Sequence, residues 1–69
     1  MTPDTNSKRQ IIEGLITQAA NTEFQQDCFA RAYVSAGLVE EGKQCAATAA
    51  KFTAAKVELI RQFEALPQS

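Results

Sequence analysis

The chain has 69 residues, with 7 Lys and Arg against 8 Asp and Glu for a net charge of −1, two Cys and no His. A chain this short buries only about 60% of its unfolded-state surface, so it forms one domain over 1–69 and gains from a staple or a partner. The charge balance offers no basic stripe for nucleic acid, two cysteines without histidine fall short of a structural zinc set, and no apolar run approaches the ~18 residues that cross a bilayer.

Met1 is followed by the polar stretch TPDTNS, with neither the basic segment nor the apolar run of a secretion signal, so the expectation is a soluble, cytoplasmic protein. Within this stretch Thr2 offers one helix cap ahead of Pro3 and Asp4, while Ser7 with Gln10 three residues on makes a capping box. The preferred start is Ser7, leaving 1–6 as a loose tail.

From Ser7 the first helix carries Ile12, Leu15, Ile16, Ala19 and Ala20 on one face, with Ile11 beside them. Gly14 in that run costs about 1 kcal/mol relative to Ala, or else admits another backbone. Thr22 and Gln25 repeat the capping-box spacing and Asn21 is a weak helix former, so a break is conceivable near Asn21. Against it, Ile16, Ala20, Phe24, Cys28 and Ala32 continue at steps of four, and Asp27 sits one turn before Arg31. One long helix over 7–35 is the expected element, with a bend or a break near Asn21 left open.

Gly37 stands where a C-terminal cap belongs, Leu38 and Val39 are apolar enough to fold over a hairpin end, and Glu40 and Glu41 suit the positive end of the next helix dipole. The second helix, over 41–66, stops at Pro67, which with Gln68 and Ser69 forms a tail. Its steps of four and three run Cys45, Ala49, Phe52, Lys56, Leu59, Phe63 and Leu66, a heptad seam with one lysine in it. A second line, Ala46, Ala50, Val57 and Ile60, widens the apolar sector. No alternating strand pattern, hairpin dipeptide or internal repeat competes with this reading.

The fold class is therefore all-α, an antiparallel helical hairpin whose wide apolar faces predict a homodimeric four-helix bundle or a hairpin docked on a different protein. Lys56 in the seam either snorkels from its edge or pairs with a partner carboxylate that fixes register. Cys28 and Cys45 lie about six residues, some 9 Å, out of step across the hairpin, too far for a disulfide, and read as two buried free thiols.

No Gly-rich phosphate loop, nucleophile set or metal-ligand spacing is present, so no enzyme, cofactor or metal is expected. Glu58 and Glu64 read as solvated carboxylates, and Lys8 and Arg9 as a solvated terminus. Phe29 and Tyr33, one turn apart and off the main face, are the aromatic anchors for a partner, joined by Phe52, Lys56, Leu59 and Phe63 as candidate partner-binding residues.

The glycine turn and amphipathic periodicity from Ala36 to Leu66 resemble those of the small co-chaperones that hold needle subunits in type III secretion. Small inhibitors encoded by phages or plasmids are similar in dimensions. The resemblance implies a hairpin that holds another protein and assigns no residue. The expected function is thus a non-enzymatic interaction module, an inhibitor, adaptor or chaperone that binds and masks another protein. The alternative is a small oligomer that takes a small ligand such as a nucleotide, or nucleic acid, between its helices.

Overall fold

The computed structural model describes residues 4–67 as two helices, α1 over Thr5–Ser35 and α2 over Val39–Glu64, packed antiparallel. The first helix starts two residues ahead of the capping-box position. Asp4, in extended backbone, accepts a hydrogen bond from the Ser7 amide, so an acidic cap wins over the serine. Of the tail expected over 1–6, Asp4 caps and Thr5 and Asn6 are helical, while 1–3 lie outside the described residues, as do Gln68 and Ser69. No break occurs near Asn21, because α1 is helical through it.

At the turn, Gly37 takes φ 84, the left-handed conformation that costs a residue without a Cβ nothing. The Gly37 amide donates to the Val34 carbonyl and the Leu38 amide to that of Tyr33, the paired bonds of a Schellman motif. Leu38 then serves directly as the N-cap position of α2, although it brings no side-chain hydrogen bond. Glu40 and Glu41 occupy the first turn of α2 and Arg61 its last, each complementing the dipole. The second helix thus begins two residues before, and ends two residues short of, the limits read from the sequence.

The seam of α2 packs as its spacing requires: Ala49 is buried, and Cys45, Phe52, Lys56, Leu59, Phe63 and Leu66 are half-buried against α1. On α1 the covered residues Thr5, Arg9, Ile12, Ile16, Ala19, Glu23, Gln26 and Ala30 again alternate four and three, with Ala20 and Thr22 half-buried beside them. The expected line of fours holds at Ile16 and Ala20, both half-buried, and then leaves the packed face, since Phe24, Cys28 and Ala32 are all exposed. A step of four residues advances 400° and so drifts 40° round the helix each time; only alternation with threes follows a straight partner. Cys28 is therefore an exposed thiol and not a buried one, while both cysteines are free as expected. The i,i+4 pair of Asp27 and Arg31 does not close; among the described residues the ion pairs are Lys43 with Glu40, Lys56 with Glu23 and Arg61 with Glu58.

The helices approach closely beside the turn. Gly42 is buried there, and a Cβ placed on it would lie 3.0 Å from the Ala30 carbonyl oxygen. Two alanines, Ala19 and Ala49, are the only buried apolar side chains among the described residues, so the core is a thin seam. The rod measures 52 × 18 × 15 Å, with a radius of gyration of 15.8 Å where about 11 Å suits a compact chain of this length.

Candidate functional site

Two helices side by side present two long flanks, and their side chains are unlike. The first flank holds Ile11, Leu15, Thr22, Phe29 and Tyr33 from α1, spaced by sevens and fours. Of these, Ile11 is 55% exposed, Phe29 51% and Tyr33 39%. Midway along it lies a groove of about 500 Å³ whose apolar floor is Leu15, Ala19, Phe52 and Leu59 and whose rim carries the amides of Gln18, Asn21 and Gln25.

The second flank holds Phe24 and Val34 from α1 with Val57 and Ile60 from α2. Phe24, 70% exposed, stands furthest into water. A hollow of about 560 Å³ near the turn is floored by Ala30, Val34, Gly42 and Ala46, with Arg31 and Lys43 at its edge. At the open end of the hairpin a second hollow of about 370 Å³ is lined by Glu13, Ile16, Thr17 and Phe63.

Between the flanks, Lys56 reaches across the seam to Glu23, Nζ to Oε1 2.9 Å, while the other carboxylate oxygen accepts from the Thr53 hydroxyl. The hydrogen bond from Thr53, and after it the Lys56 ammonium, holds the Glu23 carboxyl below its ordinary range. The two side chains are 28% and 21% exposed, so each keeps part of its water, as an interrupted seam must allow. The lysine read as an edge or partner contact therefore meets a carboxylate of its own chain. Arg9, read as a solvated terminus, instead lies over the Phe63 ring, 5.5 Å to the centroid, and donates to the Pro67 carbonyl, 2.9 Å.

Of the six candidate partner-binding residues, Phe29, Tyr33, Phe52 and Leu59 fall along the first flank. Lys56 lies in the seam, tied to Glu23, and Phe63 turns to the second flank beneath Arg9. Sequence reasoning passed over Glu23, Leu15 as part of a groove floor, and the second-flank position of Phe24. Continuing the four-three step from Ile12 and Ile16 would have found Glu23 opposite Lys56.

Among the described residues no group of His, Cys, Asp or Glu is arranged to hold a metal ion, and neither helix is long and apolar enough to cross a membrane. No protein-family model, curated protein or solved structure matches the chain.

Proposed function

We propose that this hairpin is a non-enzymatic protein-interaction module that binds another protein along its first flank and masks the segment it holds, as an inhibitor, adaptor or chaperone does. The observation that carries the reading is the exposed apolar line of Ile11, Leu15, Phe29 and Tyr33 beside the groove over Phe52 and Leu59. From Ile11 to Tyr33 this line extends about 33 Å at 1.5 Å per residue, long enough to lie along several turns of an amphipathic helix. Its two aromatics are of the kind that dominate binding energy when a partner desolvates them. The neutral amide rim favours a partner segment whose apolar face is edged by uncharged polar groups.

The test is affinity capture from the native host with the unaltered chain and with the Phe29→Ala, Tyr33→Ala double variant, followed by the mass of the complex. A partner held by the first and lost at least about tenfold by the second, with helicity unchanged, supports the reading. Equal recovery by both overturns it. A thermal upshift with nucleotides, or salt-sensitive binding of nucleic acid, would favour the ligand-binding alternative instead.

A further inference from the structure

The second flank carries charges and side-chain sizes in mirror order. Glu13 and Arg31 lie nine residues to either side of Thr22, and Ala20 and Phe24 lie two to either side. On α2, Lys43 and Glu64 are equally far from the Thr53–Ala54 bond, and so are Ala50 and Val57. These two centres lie level with each other in the hairpin, because the Thr53 hydroxyl donates to the carboxylate of Glu23, next to Thr22. Glu13 lines the hollow at the open end and Arg31 and Lys43 the one near the turn, while Glu64 lines a further hollow of this flank with Val57, Ile60 and Arg61.

The geometry points to a second copy of this chain as the occupant of the second flank, related by a two-fold axis that runs over that flank across both helices, level with Thr22 of α1 and the Thr53–Ala54 bond of α2. The rotation lays α1 on α1 and α2 on α2, each pair antiparallel, and completes a four-helix bundle. Glu13 then faces Arg31 of the second copy and Lys43 faces its Glu64, each twice over. Phe24 falls over Ala20 and Val57 over Ala50, while Ile60 enters the hollow floored by Ala46 and Gly42. Glu13, Asp27 and Arg31 on α1, and Lys43, Arg61 and Glu64 on α2, are the charged groups that the arrangement must accommodate. Asp27 meets Thr17 of the second copy and Arg61 meets its Ala46.

The other two-fold, parallel to the rod, would set α1 against α2. It brings Arg31 beside Lys43 and Glu13 beside Glu64, with Arg61 adjoining, and forfeits both opposite-charge pairs, so charge selects the crossing axis. The area agrees. The chain exposes 5199 Å², against about 4,200 Å² for a compact protein of 7.5 kDa, an excess of about 1,000 Å² where a stable interface takes about 800 Å² from each partner.

This self-association uses a different flank from the docking face proposed above, and each can fail alone. Sedimentation equilibrium of the full chain at about 100 µM is expected to give about 15 kDa, twice the 7.5 kDa of one chain. Lys43→Glu and Glu64→Lys, both at exposed positions, should each weaken the dimer by about tenfold or more. An equimolar mixture of the two variants should restore it, since each copy then supplies the charge that the other lacks. A monomer of 7.5 kDa for the unaltered chain overturns the proposal. So does a dimer indifferent to both reversals, or one dissociated by Leu15→Glu on the first flank while surviving Val57→Glu on the second.

Discussion

Gly42→Ala and Gly14→Ala are the same chemical change in the two helices and should have opposite signs. In a helix interior alanine is favoured over glycine by about 1 kcal/mol, because glycine loses more backbone entropy on folding. At Gly14 nothing lies within 4 Å of the added Cβ, so the whole of that gain is realised. At Gly42 the Cβ would sit 2.6 Å from Val34 Cγ2 and 3.0 Å from the Ala30 carbonyl oxygen. The valine side chain is 52% exposed and can swing aside, but the carbonyl belongs to the backbone of α1 and moves only if the helices part. Such overpacking costs about 1–3 kcal/mol, which outweighs the propensity gain and leaves a net loss of about 1 kcal/mol. For a domain of this size the expected shifts are about 4–8 °C, upward for Gly14→Ala and downward for Gly42→Ala. Thermal unfolding followed by circular dichroism at matched protein concentration reads both, matched because any self-association makes the midpoint concentration-dependent. A Gly42→Ala midpoint that rises with that of Gly14→Ala would refute the close approach at the turn.

The Glu23, Thr53 and Lys56 cluster makes two further expectations. In a double-mutant cycle, Glu23→Gln with Lys56→Met should lose less stability than the two singles together, since either single strands a half-covered polar group; strict additivity in urea titrations would show that the pair is uncoupled. Asp4 and Glu23 both have carboxyls held below their ordinary values, the first chiefly by the Ser7 amide and the second chiefly by Thr53. Their contribution is therefore fully present above the unfolded-state value of about 4 and is lost as the pH falls through their folded-state values, so urea midpoints should drop in that acid range and Glu23→Gln should flatten the drop. An identical acid limb in the variant would remove Glu23 from the explanation.

The seam of α2 was legible because its apolar residues keep to the four-three rhythm from Cys45 to Leu66, with one polar exception that the rhythm itself flags. On α1 the apolar signal follows a different path after Ile16. Phe24 draws the eye along steps of four, while the packed positions at 23 and 26 are Glu and Gln, invisible to any count of hydrophobic residues. Packing on a straight partner overrode hydrophobicity there, and the cost to Glu23 is offset by Thr53 and Lys56. The start of α1 was missed for a simpler reason: Asp4 and Ser7 are both good caps, and only their geometry chooses between them. Arg9 escaped because its role depends on Phe63 and Pro67, which come near it only when the hairpin closes.

The turn at Gly37 has a consequence for the order in which contacts can form. Because 36–38 alone join the helices, the sequence separation of facing residues grows steadily from the turn to the open end. Ala30 and Gly42 meet across 12 residues, Glu23 and Thr53 across 30, and Arg9 and Pro67 across 58. Closing the last of these loops costs about 1.4 kcal/mol more chain entropy than closing the first. The hairpin is thus a zipper with a low contact order near its turn: pairing spreads outward from Gly42, and fraying begins where Arg9 holds the end of α2.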